Sequence, residues 1–348
     1  MNYVPILKAR AAELEALSSQ DVNCQIEPIF EIQHTDWDLA KSAKSISTDI
    51  AYFLDQLRRQ WWRPSYIDLK HVAKAPIERE KWWAYVSAML ALPGMPSHHL
   101  APVIMTSDTE STLKCAKPLA SVTQKALIRV SAPCLDITSL VSFLSDSAKT
   151  LELDPTNVGV LIDWAGSTED YPLDSLVAHC RKIISALPSQ TPVMTAGTPD
   201  TVACTGAGTW HFDRREWWVW LRLREQDQQV IYGDYALFPP PTPGFGRPLY
   251  GHLRYSADST LYVERQVASR GGLAQGFKVC CEELDRAGHF MGAAFSLGDS
   301  EIDKILHDTS HKTPGSSTAW RKIGLQHHLR LVCEQLTEPP GAPPPGTA

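Results

Sequence analysis

Short apolar runs rich in β-branched residues alternate with longer amphipathic segments along the chain, and this alternation is the feature that most constrains its fold. A strand-sized run before a helix-sized segment is typical of βαβ units around a parallel sheet. Eight runs suffice to close such a sheet, so the sequence predicts a (β/α)8-barrel-like fold. The eight runs are 4–9, 26–32, 65–70, 101–107, 125–132, 158–166, 191–197 and 230–238.

The pattern changes after the eighth run. A Pro- and Gly-rich segment, PPPTPGFGRP, precedes an alternating segment at 252–266 that predicts a hairpin turning at Asp258 and Ser259. Helical patterns follow at 277–286 and 317–336. We therefore expect a barrel domain at 1–238, an appended C-terminal hairpin-plus-helix extension at 239–336, and a disordered tail at 337–348.

Composition limits the classes of partner. Lys and Arg number 33 against 39 Asp and Glu, for a net charge of -6, so a nucleic acid would need a local basic groove rather than a general attraction. The N-terminal residues lack a secretory signal, and no apolar stretch is long enough to span a bilayer, so we expect a cytoplasmic protein without membrane contact. The 8 cysteines include no CxxC pair and are expected to be reduced core thiols.

Tryptophan is abundant, with 11 residues, and forms three doublets. We expect most of these rings to fill the seams between helices and barrel, although an exposed aromatic patch would mark a binding surface. The doublets are Trp61 and Trp62, Trp82 and Trp83, and Trp217 and Trp218.

Charged residues recur at the ends of the predicted strands. In a barrel of this class the carboxyl ends of the strands carry the active site. Ionised groups beside apolar strands are costly unless they are paired or used, so the recurrence predicts a site at that end. The charged residues are Lys8, Glu31, Asp68, Arg129, Asp163 and Asp234, and Tyr235 follows the last of them.

Three interpretations of these charges remain open. Glu31, Asp68 and Asp163 would share a divalent cation such as Mg²⁺, with Lys8 and Arg129 offsetting charge on a substrate. Alternatively, Glu31 and Asp163 would act as general acid and base. The third interpretation is that the charges form structural ion pairs.

The chain carries no GxGxxG opening a helix, GxxxxGK[ST], HExxH or GxSxG motif, which leaves nucleotide-loop, zincin and α/β-hydrolase functions without support.

Short motifs spread over nearly the whole chain resemble those of the Beta protein family, which occurs in phages and in bacterial mobile or defence-associated loci. The resemblance implies a setting rather than a reaction. It rests on YVPILKARAAELEAL, EPIFEI with Glu31, YGDYALF, LRYS, FSLGDSEI and WRKIGLQHHL, from Tyr3 to Leu329.

The motifs of the second half add candidate ligand-binding residues. FSLGDSEI places Ser296 and Asp299 where a side-chain oxygen would cap a helix. On the last helix, His328 should flank the buried apolar stripe that contains Leu325, and His327 should point away from it. We therefore do not expect the two histidines to bind the same metal ion. With Arg129, Asp234 and Tyr235 at the strand ends, the candidate ligand-binding residues are Arg254, Asp299, Arg321 and His328. Arg265 and Arg270 are further donors of hydrogen bonds to an anion.

Two functions follow. The first is an enzyme of phage conflict or antiviral defence whose barrel mouth binds an anionic ligand, such as a nucleotide or nucleic acid. It would be a hydrolase or lyase, and its catalytic residues would be Lys8, Glu31, Asp68 and Asp163. The second is a non-catalytic component that recognises a phage or host protein, or a protein encoded in the same locus, through a Trp-rich surface.

Overall fold

The computed structural model describes eleven stretches of the chain, and the statements below concern these residues alone. Within them, no helix combines the length and the apolar character needed to cross a bilayer. The described residues are 2–20, 24–32, 42–72, 76–132, 136–201, 204, 206–226, 229–238, 250–267, 272–308 and 310–337.

Eight parallel strands form a closed barrel, as the sequence predicts. The eight strands are β1 (Asn2–Lys8), β3 (Ile29–Glu31), β4 (Ser65–Asp68), β5 (Leu100–Met105), β6 (Ala126–Ser131), β7 (Val158–Asp163), β8 (Val193–Ala196) and β10 (Ile231–Asp234). A ninth, two-residue strand, β2 (Gln25–Ile26), lies beside the start of β1. β1 pairs with β3 on one side and with β10 on the other, so the barrel is closed.

Eight helices surround the barrel, each burying one apolar stripe against the sheet. The helix α5 shows the sequence logic: Leu140, Leu144 and Leu151 are buried, and the Asp136 side chain accepts a hydrogen bond from the Thr138 amide at its start. The helices are α1 (Ala11–Ser18), α2 (Ser42–Gln60), α3 (Pro76–Leu90), α4 (Glu110–Thr123), α5 (Ile137–Leu151), α6 (Leu173–Ala186), α7 (Arg215–Arg224) and α10 (Ser317–Thr337).

An antiparallel sheet and two helices form the extension. The predicted hairpin is present as β11 (Tyr250–Ala257) and β12 (Thr260–Val267), and Asp258 in its turn has a φ of 47°. The sequence reasoning missed a third strand, β9 (Gly208–Asp213), which pairs with β12. Helices α8 (Gly272–Arg286) and α9 (Leu297–His307) pack on this sheet and on α10.

Most of the extension, from β11 to α9, lies between the last barrel strand, β10, and the last barrel helix, α10, whereas β9 lies between β8 and α7. Leu329 and Val332 of α10 lie in the same apolar core as the barrel strands, whereas Trp320 and Ile323 near its start pack in the core of the extension. The sequence predicts a domain boundary at residue 238, but β9 lies before it and pairs with the hairpin after it. Residues 338–348, expected to be disordered, lie outside the described part of the chain.

Glycines allow α10 to approach the extension closely. A Cβ at Gly298 would overlap the carbonyl of Ile323, and a Cβ at Gly324 would lie 2.8 Å from the Arg254 carbonyl oxygen. Both distances are below normal contact, so any side chain would push the backbones apart. These glycines therefore fix α10 against α9 and the hairpin.

The expectation of reduced cysteines is wrong at two positions. Cys24, just before β2, forms a disulfide with Cys333 of α10, across a sequence separation of 309. No spacing rule predicts this pair, because the two residues meet only when α10 packs beside the first strands. Cys115, Cys180, Cys204, Cys280 and Cys281 are free thiols.

Candidate active site at the barrel mouth

Strand alternation decides which strand-end side chains enter the barrel. Val4 and Ile6 of β1 point into the interior, as does Leu127 of β6, so the residues two positions on, Lys8 and Arg129, point the same way. By the same count Glu31, Asp68 and Asp163 point inward. The sequence-predicted charges of these five strands therefore converge at the end of the barrel where the strands finish, which we call the mouth.

Arg129 lies at the centre of a buried group that we call the mouth layer. Its Nη1 donates to Glu31 Oε1 at 2.8 Å and to Asp68, and its Nε donates to Asp163 Oδ2 at 2.8 Å. Its Nη2 donates to the Tyr235 hydroxyl, which in turn donates to Asp163 Oδ1 at 2.9 Å. All five residues of the layer, Glu31, Asp68, Arg129, Asp163 and Tyr235, are at most 2% exposed.

The electrostatics of the layer favour the ionised forms of Glu31, Asp163 and Arg129. Burial on its own would raise the pKa of Glu31 and Asp163, but the Arg129 guanidinium outweighs it and holds both below their ordinary values. Burial also opposes the charge on Arg129, yet Asp163 and its neighbours raise the Arg129 pKa well above the usual range. The layer thus holds one cation and three carboxylates.

Two partly exposed residues after β4 cover the layer. Lys70 Nζ lies 3.4 Å from Asp163 Oδ2, and His71 Nε2 lies 3.3 Å from Glu31 Oε2. The backbone amides of Lys70 and Ala165 donate to Asp68 Oδ1 and Asp163 Oδ1, at 2.7 and 2.9 Å. Each aspartate therefore also ends its strand by closing a turn with the amide two residues later.

The mouth layer does not form the metal site that the sequence suggested. A shared cation would have to lie between the carboxylates of Glu31, Asp68 and Asp163, and the Arg129 guanidinium already contacts all three there. Across the residues that the structure describes, no three His, Cys, Asp or Glu side chains are grouped to hold a metal ion.

A second group of charges lies beside the layer, where the mouth meets the hairpin. Arg254 donates from Nη1 to the Leu237 carbonyl at 2.7 Å and from Nη2 to Thr201 Oγ1 at 2.8 Å, and so reaches the segments that follow β10 and β8. Arg265 donates to the Cys204 carbonyl in the same region. With Lys8, Arg10 and Arg321, these two residues form what we call the cationic cluster.

One aromatic ring joins two members of the cluster. The guanidinium of Arg321 lies 4.0 Å from the Phe238 ring centroid, and that of Arg254 lies 5.5 Å from the same centroid. Arg265 lies 4.7 Å above the Tyr250 ring. Such stacking fixes the planes of the guanidinium groups.

The cluster is poorly neutralised. Among the described residues, Arg321 is the only member within 4 Å of a carboxylate, at 3.0 Å from Glu13 Oε1. Burial, followed by Arg321 and Arg10, lowers the pKa of Lys8 to about 7. Burial also lowers the pKa of Arg254 to about 10, with Arg321 and Arg265 adding to the effect. The group carries a local excess of positive charge that the net charge of the chain conceals.

Sequence reasoning found part of this cluster. Lys8, Arg254 and Arg321 were candidates, and Arg265 was a secondary donor. Arg10 was missed, although its place two residues after the strand-end Lys8 put it in the first loop at the mouth. Arg270 lies outside the described residues.

Comparison with known proteins adds the family. A sequence profile described as Beta protein matches residues 3–334. The chain belongs to the Beta protein family. No match was found among curated proteins. Solved structures with weak similarity include triosephosphate isomerase from Bartonella henselae, with 8% identity, a TM-score of 0.32 and coverage of 67% of this chain and 92% of that one. They also include endonuclease IV from Thermus thermophilus, with 9% identity, a TM-score of 0.33 and coverage of 82% of this chain and 99% of that one. The barrel assignment rests on the strand order.

The Beta protein motif YGDYALF places Asp234 away from the mouth. On β10 the inward positions are Ile231, Gly233 and Tyr235, so Asp234 points outward toward α10. There it accepts hydrogen bonds from the Tyr3 hydroxyl at 2.6 Å, the Tyr232 hydroxyl at 2.9 Å and His328 Nε2 at 2.9 Å. Asp234 and His328, both predicted to bind ligand, instead join the barrel to α10.

Ser256, His328 and Asp234 form a chain of hydrogen bonds in the order found in serine hydrolases. Ser256 Oγ lies 2.7 Å from His328 Nδ1. Burial keeps the pKa of His328 below its ordinary value, so the ring is neutral, with Nε2 donating to Asp234 and Nδ1 accepting from Ser256. Because Ser256 is 0% exposed, no substrate carbonyl can reach its hydroxyl, and the chain is structural.

Asp299 is also buried in a structural network. Its carboxylate accepts from the Tyr255 hydroxyl at 2.6 Å and lies 2.8 Å from His327 Nδ1. Ser296 caps α9, as predicted, by accepting from the Asp299 amide at 3.1 Å. The expectation that His327 points away from the core is wrong because the hairpin and α9 cover that face of α10, which buries His327 completely.

The tryptophan doublets are mostly core. Trp61, Trp82, Trp83 and Trp217 are buried and Trp218 is half-buried, whereas Trp62 is 50% exposed. The Trp217 ring packs against Trp220 and Tyr232 under α7. The doublets therefore do not present the Trp-rich recognition surface on which the interaction-component hypothesis relied.

Proposed function

We propose that the barrel mouth of this Beta protein binds an anionic, phosphate-containing ligand, either a nucleotide or a segment of nucleic acid, and that this binding serves a role in phage conflict or antiviral defence. The supporting observation is the cationic cluster: five basic side chains converge at the mouth, and only Arg321 has a carboxylate within 4 Å among the described residues.

The physical argument is the mutual repulsion of the basic side chains in the cluster. Two like charges 4 Å apart near a protein surface repel by about 4 kcal/mol in an effective dielectric of 20, which is the cost of bringing them together. In the cluster, burial is the largest cause of the lowered pKa of Lys8 and Arg254, and repulsion from neighbouring arginines lowers both further. A phosphate would remove this cost and accept paired N–H bonds from the guanidinium forks. The ring of Phe238, shared by Arg254 and Arg321, holds two of these forks in place.

The carboxylates have a different part in this proposal from the one that the sequence suggested. Glu31, Asp68 and Asp163 each direct an oxygen at Arg129. We therefore assign the mouth layer the role of a rigid floor under the site, in preference to that of a hydrolytic centre. Tyr235 completes that floor by bridging Arg129 and Asp163. Lys8 is the candidate catalytic residue that remains partly accessible, and it is the member of the cationic cluster that belongs to a barrel strand.

Binding of pyrophosphate tests the site. Calorimetric titration of the full chain should give a saturable exothermic signal that weakens with salt, and Arg254→Gln should raise Kd at least ~10-fold, which corresponds to ~1.4 kcal/mol. The matched control is Arg286→Gln, which removes an exposed arginine paired with Glu283 and should leave Kd unchanged. Equal binding by wild type and Arg254→Gln would show that the cluster is not the site.

Phage plating on cells carrying the complete native locus tests the setting. The Arg254→Gln, Arg321→Gln double variant should lose at least ~10-fold of any protection at a temperature at which its folding is confirmed, since a loss of ~1.4 kcal/mol in ligand binding has that size. Trp62→Ala, which truncates the exposed tryptophan, should keep protection. Loss of protection with Trp62→Ala alone would favour the non-catalytic recognition of a phage, host or locus-encoded protein.

A further inference from the structure

Lys8 occupies a position unlike that of any other lysine described. It is the last residue of β1, its Cα is in register with Glu31 of β3, and its side chain follows Val4 and Ile6 into the barrel. It lies above the mouth layer and beside Arg10 and Arg321. Among the described carboxylates, none lies within 4 Å of its amine, although Glu31 and Glu13 act on it from farther away.

The surroundings of Lys8 favour the neutral amine. Burial is the largest effect, Arg321 and Arg10 add to it, and Glu31 and Glu13 oppose it only in part, which brings the pKa to about 7. A neutral amine has a free electron pair on Nζ and is a nucleophile at neutral pH. Lys114 is a contrasting case, since its side chain is 64% exposed and its Nζ lies 2.7 Å from Glu110.

We propose that Lys8 is a nucleophilic amine that forms an imine with the carbonyl carbon of an anionic aldehyde or ketone held by the cationic cluster. The inference rests on the anion site proposed above and narrows its ligand class, because the same molecule must present a carbonyl group to Nζ and a phosphate to Arg254 and Arg321. The mouth layer below provides a fixed wall against which the carbonyl group is placed.

The step balances without an outside oxidant or reductant. The Nζ electron pair attacks the carbonyl carbon, the π pair moves to oxygen, and a proton lost from nitrogen passes to that oxygen through water to give a carbinolamine. The second nitrogen proton then leaves with the hydroxyl as water, and the nitrogen electron pair forms the C=N bond. Aldehyde and amine are thus converted to imine and water.

Pyridoxal 5′-phosphate is a suitable probe because it carries an aldehyde and a phosphate on one ring. The full chain is incubated with the probe, reduced with borohydride to fix any imine, digested, and analysed by peptide mass mapping. We expect Lys8 to be labelled at least ~10-fold faster than Lys114, with half-maximal labelling near the Lys8 pKa of about 7. Pyrophosphate should protect Lys8 and leave the slow labelling of Lys114 unchanged.

Two variants control the assignment. Lys8→Arg keeps a basic side chain at the same position but cannot form the imine, so it should lose the fast label while the labelling of Lys114 stays unchanged. Arg254→Gln keeps the amine but weakens the anion site, so it should slow the labelling of Lys8.

Each contrary result has a distinct meaning. Pyrophosphate binding without fast labelling of Lys8 would overturn the imine and leave the anion site standing. Fast labelling that pyrophosphate does not reduce would also overturn the proposal, because the amine and the anion site would then be separate. Absence of both would overturn the anion site as well.

Discussion

Arg129→Met should lower the free energy of unfolding by ~3–5 kcal/mol at pH 7.5, or prevent folding altogether. The substitution removes the one guanidinium that contacts Glu31, Asp68 and Asp163, and it leaves three carboxylates in a layer that is at most 2% exposed. A buried carboxylate that loses its central partner costs more than the pair contributed. Chemical denaturation followed by tryptophan fluorescence measures the loss.

The pH dependence of this variant should be opposite to that of the wild type. In the wild type the pKa of Glu31 and of Asp163 is lowered, so their contribution is present above the ordinary carboxyl pKa and is lost as the pH falls through the folded values. Without Arg129, burial raises both pKa values. The variant should then gain stability as the pH falls from 8 to 5, because protonation removes the buried charge.

Two controls accompany the measurement. Arg129→Lys keeps one charge but cannot reach three carboxylates, so it should give an intermediate loss. Arg58→Met breaks the exposed pair with Asp55 and should leave stability unchanged within error. A variant Arg129→Met that matched the wild type at pH 7.5 would contradict the account of the mouth layer as a charge-paired floor.

Asp234→Ala should release the last helix from the barrel. The change removes the acceptor for the hydroxyls of Tyr3 and Tyr232, for His328 Nε2 and for the Ala236 amide, all of which remain buried. Each unsatisfied buried donor costs about 1–3 kcal/mol, so the loss should reach at least ~3 kcal/mol. Hydrogen exchange should show the loss of stability first as lost protection of amides in α10 and the hairpin, because His328 of α10 is hydrogen-bonded to Ser256 of the hairpin.

The control for this variant is Asp299→Ala. It removes the acceptor for Tyr255 and the partner of His327 within the extension, so it should deprotect α9 and the hairpin while Tyr3 and Tyr232 keep their partner. Loss of protection spread evenly over all barrel strands in Asp234→Ala would contradict the role of Asp234 as a local joint between β10 and α10.

The barrel could be predicted from the sequence because its signal is local. Each strand is a short apolar run, and each helix buries a stripe that the sequence shows, as with Leu140, Leu144 and Leu151 of α5. The inward direction of Glu31, Asp68 and Arg129 also follows from local alternation. The same count, applied to β10, would have placed Asp234 outside the barrel and Tyr235 inside it.

What the sequence could not supply depends on contacts between distant segments. Arg129 meets three carboxylates from three other strands, and Cys24 meets Cys333, only after the barrel closes and α10 docks. The strand β9 was missed because its partner β12 lies after it by more than forty residues. The cationic cluster likewise combines loops at the mouth with the hairpin, so no single motif contains it.

The most direct test of an anion site at the mouth is a crystal structure of the full chain soaked in tungstate, with anomalous data collected at the tungsten edge. Tungstate has the charge and shape of a phosphate group and marks its own position. We predict a peak within hydrogen-bond distance of Arg254 and Arg321, beside Lys8, that is absent from crystals of the Arg254→Gln variant. A tungstate peak bound elsewhere on the chain, with none at the mouth, would contradict the account.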